Sequence, residues 1–336
     1  MNSAATLTND LLHSAIRATA SDIHFYPFLQ HTDIYFRIHG ERVLFETISI
    51  SNYQLVLAYF KFTSGMDIGE IRKPQNGTIT HKELESSYSL RLSTLPVHRM
   101  ESLAIRILPL EETYTLDKLF LFPSQLKVLK KWINHRAGLL LFSGPTGSGK
   151  STTLYALLET ILQNKSYQAI TLEDPVEKKM NHLLQVQINE KAGITYETGL
   201  KAALRHDPDI IMVGEIRDKH TAHFCFEAAL TGHLVFSTLH AKSAVGTIHR
   251  LLDMGIQQIE LEQSLIAVAS IQLLPIQIAG KIERQAAILE ILEGQGLVRE
   301  LKGGDHQTSD HTQSFYHLRK KAFAYGFISK ETFLSR

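Results

Sequence analysis

The stretch Gly144-Pro145-Thr146-Gly147-Ser148-Gly149-Lys150-Ser151-Thr152 constrains this chain more than any other. It carries Gly144, Gly149, Lys150 and Ser151 at the spacing of a phosphate-binding loop. A polyphosphate needs several backbone N–H groups converging on it, and glycines let the chain come that close. Lys150 then brings a point charge to the β- and γ-phosphates, and the Ser151 hydroxyl is placed to ligate Mg²⁺. The flanks agree. Leu139-Leu140-Leu141-Phe142 predicts a short strand before the loop, and Leu154, Leu157, Leu158, Ile161 and Leu162 fall on one helical face after it. The helix N-terminus adds its dipole to the anion site. These features imply a nucleoside triphosphate site.

A chain of 336 residues suggests about two domains, each able to bury a core. A formal net charge of +1 gives no electrostatic case for bulk nucleic-acid binding, so direct DNA binding is not expected. The single cysteine, Cys225, excludes a disulfide framework and makes the cytosol the simplest compartment. Met1 to Asp10 lacks the apolar centre of a signal peptide. The apolar stretch Ser264 to Gly280 is interrupted by Gln272, Pro275 and Gln277, too short and too broken to span a bilayer. Any membrane association is then expected to be peripheral.

Residues 1–108 predict a small α+β domain, PAS-like in kind. A helix is expected over Asn9–Thr19, a strand over Ile34–Ile38, a turn at His39-Gly40-Glu41 and a helix over Tyr53–Phe62. Alternating strands follow around Leu90–Ser93 and Leu103–Ile107. Residues 109–123 read as a linker with prolines at both ends. Residues 124–336 then form a RecA-like α/β domain with a helical tail. Ala169–Leu172, Ile210–Val213 and Leu234–Ser237 do not alternate, as expected of parallel strands covered on both faces. Helices are expected over Gln125–Arg136, Ala244–Leu252 and Glu260–Ala269, and a polar loop over Gly294–Asp310. Phe315, Leu318, Phe323 and Phe327 form a stripe expected to be core.

Polar residues stand where the strands end. Glu173-Asp174 follows Leu172, Gly214-Glu215 follows Val213, and His240 lies just past Ser237. Ligands of open parallel sheets bind outside the carboxyl ends of the strands. Glu215 is the choice to polarise an attacking water, and His240 to contact the γ-phosphate. Glu173 and Asp174 are assigned with Ser151 to Mg²⁺, partly through water, and Glu173 is counted with the catalytic groups. His220 and His223 have helical metal spacing but no third ligand. Arg37, Arg91 and Arg106 fall on the polar faces of small-domain strands and Arg72 in a loop, available to a neighbouring site in a ring.

These residues also resemble a known family. Ala20-Ser21-Asp22-Ile23-His24, Lys73-Pro74-Gln75-Asn76-Gly77 and Leu90-Arg91-Leu92-Ser93-Thr94-Leu95-Pro96 look like the N-terminal domain of type II secretion and type IV pilus ATPases. Ile170 to Glu177 resembles that family's aspartate box, Asp207 to Asp218 its Walker B segment, and Thr231 to Ala241 its histidine box. The resemblance covers about residues 10–290 and implies a hexameric ATPase acting on an inner-membrane platform protein at the inner face of the cell membrane. It maps arginine fingers onto Arg72, Arg91 and Arg106. Thr78 departs from the pattern, standing where a second arginine is common. No four-cysteine insert follows Leu274-Pro275, so no zinc is expected. The short forms that remain are the competence pseudopilus assembly ATPases, used in DNA uptake, and the retraction ATPases. The first is favoured because Gly303 to Arg336 lacks the retraction signature. A nucleotide-gated scaffold with little hydrolysis is the alternative of another class.

Overall fold

The computed structural model describes residues 4–38, 40–84, 86–98, 100–109, 115–278, 281–303 and 314–334. His39 of the expected turn, residues 110–114 of the expected linker and residues 304–310 of the expected polar loop lie outside the described residues. The chain divides into two compact units, Met1–Glu112 and Thr113–Arg336.

In the first unit the chain runs α1 (Ala4–Arg17), β1 (Asp22–Pro27), β2 (His31–Ile38), β3 (Glu41–Ser49) and α2 (Ile50–Thr63). It continues through β4 (Gln75–Glu83), β5 (Ser86–Val97) and β6 (Met100–Pro109). The strands form one antiparallel sheet in the order β3-β2-β1-β6-β5-β4. Period-two alternation sends Leu90, Leu92, Leu103, Ile105 and Ile107 inward, against Leu12, Ala15, Tyr53, Val56 and Phe60 of the two helices. The same alternation sets one transverse row on the opposite face. Thr78 pairs with Arg91, Arg91 with Arg106, Arg106 with Asp22, Asp22 with Arg37, and Arg37 with Arg42. β1 and β4, which the sequence reading passed over, supply Asp22 and Thr78 to that row.

The loop between α2 and β4 carries Arg72 and is tied down from inside. Lys61 and Glu101 form a fully buried ion pair at 2.7 Å. The Lys61 ammonium also donates to the Glu70 carbonyl at 2.8 Å, which accepts again from Gln75 Nε2 at 3.0 Å. Gly77 passes so close to Ser64 that a Cβ would stand 2.6 Å from its Cβ. Glycine is the residue this crossing admits.

The second unit begins with α3 (Leu116–Leu119) and α4 (Pro123–Trp132). Part of the expected linker is therefore core: Leu116 and Phe120 are buried, and Leu121 N–H donates to the Ala287 carbonyl at 2.9 Å. Next come β7 (Gly138–Ser143), α5 (Lys150–Asn164), β8 (Ala169–Glu173), β9 (Leu184–Gln187), α6 (Tyr196–Ala203) and β10 (Ile210–Val213). α7 (Lys219–Leu230), β11 (Leu234–Leu239), α8 (Ala244–Asp253) and α9 (Gln258–Ser264) follow. β12 (Leu265–Ile278), β13 (Lys281–Glu293), α10 (Gly294–Leu301), α11 (Phe315–Ala324) and α12 (Lys330–Leu334) complete the unit. The sheet order is β13-β12-β7-β11-β10-β8-β9, parallel except for β13. Helices α4 and α5 cover one face and α6 to α10 the other, giving two apolar layers in the RecA-like manner.

Two helical and loop expectations fail here. The helix expected to reach Ala269 stops at Ser264, because Leu265 to Ser270 pair with β7 and are needed as a buried strand. Pro275 lies beyond the last residue paired with β7, where one side of β12 needs no ladder bond. The segment expected as a loop from Gly294 is helical to Leu301, with Leu297 and Leu301 buried. Of the aromatic stripe, Leu318 is buried and Phe315 partly so, whereas Phe323 and Phe327 are exposed.

Lys61→Ala strands Glu101 without its cation. The expected loss is about 3–5 kcal/mol, read as a lower urea midpoint for the full chain. A midpoint within error of the parent overturns this account of the clamp.

Candidate active site

The phosphate loop lies between the end of β7 and the start of α5, and glycine is built into it. Gly144 has φ +146°, and a Cβ there would stand 2.5 Å from Ser148 Oγ and 2.7 Å from the Ile271 carbonyl. Gly149 caps α5 with φ 91°, and Gly147 turns the loop with φ 79°. Pro145, Thr146 and Gly147 are exposed, Ser151 and Thr152 half-buried. Ser148 Oγ is buried and has no hydrogen-bond partner. Lys150 Nζ donates to the carbonyls of Gly144 and Pro145, both at 2.9 Å. Burial pulls the Lys150 ammonium below its usual pKa, opposed by Glu215 and Glu177. The lysine is turned onto its own loop.

Backbone ties align the strand ends beside that loop. Gly214 N–H donates to the Leu172 carbonyl, and Ile216 N–H to the Thr238 carbonyl, both at 2.8 Å. The Thr238 hydroxyl donates to the Gly214 carbonyl at 2.7 Å and Ser237 to the Val213 carbonyl at 2.8 Å. Glu215 and His240 are thereby brought together, with His240 Nε2 at 3.3 Å from Glu215 Oε2. Asp174 joins them through Arg217, whose Nη1 donates to Asp174 Oδ2 at 2.8 Å and whose Nε donates to Glu215 Oε1 at 2.5 Å. The aspartate, the glutamate and the histidine assigned from sequence thus form one cluster.

Glu173 sits apart from that cluster in its surroundings. It is 3% exposed and accepts from Thr171 Oγ1 at 2.5 Å, from Gln185 Nε2 at 3.1 Å and from the Tyr155 hydroxyl. Burial and then Glu173 push the Tyr155 phenol far above its usual pKa. Tyr155 also accepts from Glu177 N–H at 3.3 Å. Neither Tyr155, Gln185 nor Arg217 was singled out from sequence. Tyr155 reads as one more apolar position on a helix, and Arg217 as an ordinary solvated charge.

The donor set of Ser151, Glu173 and Asp174 is all hard oxygen, the chemistry Mg²⁺ prefers. Among the described residues no group of three His, Cys, Asp or Glu side chains is arranged to hold a metal. His220 and His223 are on α7, and His223 Nδ1 faces Glu260 at 3.8 Å. His233 contacts the Ala228 carbonyl at 3.1 Å.

The arginines Arg72, Arg91 and Arg106 belong to the first unit. Arg106 Nε donates to Asp22 Oδ1 at 2.9 Å, while Arg37 Nε stands 4.0 Å from Asp22 Oδ2. Arg91 is directly opposite Arg106 in the sheet. Arg72 is exposed in its clamped loop, its N–H donating to Glu70 Oε1 at 2.7 Å.

A strand-loop-helix phosphate cradle with carboxylates on neighbouring strand ends defines a RecA-like P-loop ATPase. The profile of the family described as Type II/IV secretion system protein matches residues 2–311, and the chain belongs to that family. It is 40% identical to competence protein ComGA of Bacillus subtilis (strain 168), over 99% of this chain and 98% of that one. It is 41% identical to type II secretion system protein E of Pseudomonas aeruginosa, covering 78% of this chain and 52% of that protein. Among solved structures it resembles the pilus retraction motor PilT with bound ADP. That match has a TM-score of 0.75 and 29% identity, over 97% of this chain and 95% of that one.

Tyr155→Phe removes a hydrogen bond to a buried carboxylate, worth about 1.5–3 kcal/mol. The expected result is a lower thermal midpoint and slower ATP turnover together. Unchanged turnover at a lowered midpoint shows that Glu173 works without that hydroxyl.

Proposed function

We propose that this chain is the subunit of a homohexameric, Mg²⁺-dependent motor that hydrolyses ATP to assemble a competence pseudopilus for DNA uptake. The observation that carries the reading is the nearly end-to-end match to ComGA, joined to the intact cradle and strand-end cluster described above. The phosphate loop binds the triphosphate through backbone N–H groups, with Lys150 leaving its loop carbonyls for the phosphate oxygens. Ser151, Asp174 and Glu173 would hold Mg²⁺ in part through water, and the ion would supply positive charge to the triphosphate. Glu215 accepts a proton from the attacking water and keeps it oriented, with His240 beside it to register the γ-phosphate. Arg72, Arg91 and Arg106 bring positive charge from a neighbouring part of the ring to the departing phosphate. The ring hands the resulting displacement to a membrane platform protein, and DNA itself is handled elsewhere. Among the described residues no helix is long and apolar enough to cross a membrane. The proposed location is therefore the cytoplasmic face of the cell membrane, held by the platform protein.

A second reading, a retraction motor, is supported by the likeness to PilT over nearly both chains. Deleting the gene separates the two: cells without surface fibres support assembly, and cells with excess fibres support retraction.

Sites completed by neighbours make turnover depend on assembly. Phosphate release per subunit, at saturating Mg-ATP, is expected to rise steeply with protein concentration and to vanish in Glu215→Gln. A rate that is flat, negligible and equal in both proteins, with purified platform protein also present, overturns the motor and leaves a nucleotide-gated scaffold.

A further inference from the structure

Arg217 has no role in the reaction as set out so far, yet it holds the charges at its centre. Its guanidinium is a planar fork with several donors, suited to gripping more than one carboxylate oxygen. Nε and Nη2 both address Glu215 Oε1, and Nη1 addresses Asp174 Oδ2. The two acids come from the ends of neighbouring strands β8 and β10 and, unpaired, repel each other. With His240 on its other oxygen, Glu215 is engaged at both. Lys150 is meanwhile turned onto Gly144 and Pro145. Lys150 and Arg217 are thus both committed to protein groups.

These are also the acids assigned to the metal and to water. A hard divalent cation and a guanidinium seek the same oxygens, and one oxygen cannot satisfy both at contact distance. The Arg217 side chain is 52% exposed and stands on the turn between β10 and α7, so it reaches solvent as well as the two acids.

We propose that Arg217 is a positioning residue that clamps Glu215 to Asp174 and competes with Mg²⁺ for Asp174, so that Mg²⁺–nucleotide binds by displacing it. The proposal rests on reading Asp174 as a Mg²⁺ group and Glu215 as the group that activates water. Removing the arginine deepens the negative potential there, leaving Glu173, Asp174, Glu177 and Glu215 against Lys150. Because the pair is half exposed and screened by solvent, the effect is modest, about three- to tenfold in Mg²⁺ affinity. The clamp sets the magnesium concentration at which the site switches from its internal ion pairs to its ligand.

The test is equilibrium binding of a fluorescent non-hydrolysable ATP analogue to the full chain, titrated with free Mg²⁺. Arg217→Gln is expected to reach half its Mg²⁺ response at about three- to tenfold lower Mg²⁺ than the parent. Arg217→Lys, which keeps the charge without the fork, is expected to fall between them. A midpoint unchanged or raised in Arg217→Gln overturns the clamp, as a merely structural role weakens binding in EDTA and in Mg²⁺ alike. If Arg217→Gln fails to fold, Arg217→Lys carries the test with the same two outcomes. Parent binding that ignores Mg²⁺ overturns the underlying assignment of the site instead.

Discussion

The close approach of Gly144 to the Ile271 carbonyl and to Ser148 is the contact on which the catalytic unit depends. It welds the phosphate loop to β12, a strand that pairs with β7 on one side and β13 on the other. These contacts hold the loop on a buried sheet, and Ser148 N–H donates within it to the Pro145 carbonyl at 3.2 Å. The cost of shaping an anion site is then met in folding and not at the moment of binding. Everything else at the edge, from the capped start of α5 to the tied ends of β8, β10 and β11, is positioned relative to that fixed point.

Charge is distributed unevenly along this edge. Glu173 is buried among three side-chain donors, whereas Asp174, one residue on, reaches solvent and an exposed partner in Arg217. Adjacent acids in sequence therefore meet different dielectric environments, the usual means of giving two carboxylates different tasks. The first is fixed by hydroxyl and amide groups that do not leave. The second is held by a single guanidinium at the surface.

Much of this was legible in the sequence because the signals were local. Glycine spacing, a lysine and a hydroxyl residue define the cradle, and apolar runs without alternation define β8, β10 and β11. The membership of the type II/IV secretion family was equally readable from ordered motifs. What escaped was set by distant partners. Leu265 to Ile278 mixes alanine, serine and leucine with β-branched residues, and only pairing with β7 and β13 decides for a strand. Residues 281–293, with Glu, Arg, Gln, Ala and Leu, suit a helix by propensity, yet they form the antiparallel edge. Tyr155 and Arg217 acquire meaning only when β8 and β10 lie side by side.

The transverse row of the first unit carries a consequence of its own. Arg91 faces Arg106 directly, Arg37 and Arg42 extend the row, and Asp22 is its one acid. Like charges opposed across strands weaken a sheet. An ordinary ion-paired surface loosens as salt is added, because screening removes attraction. Here two like pairs, Arg91–Arg106 and Arg37–Arg42, stand beside two opposite ones through Asp22, so screening removes repulsion and attraction alike. The row therefore leans on one side chain: without Asp22 its four arginines would have no acid among them.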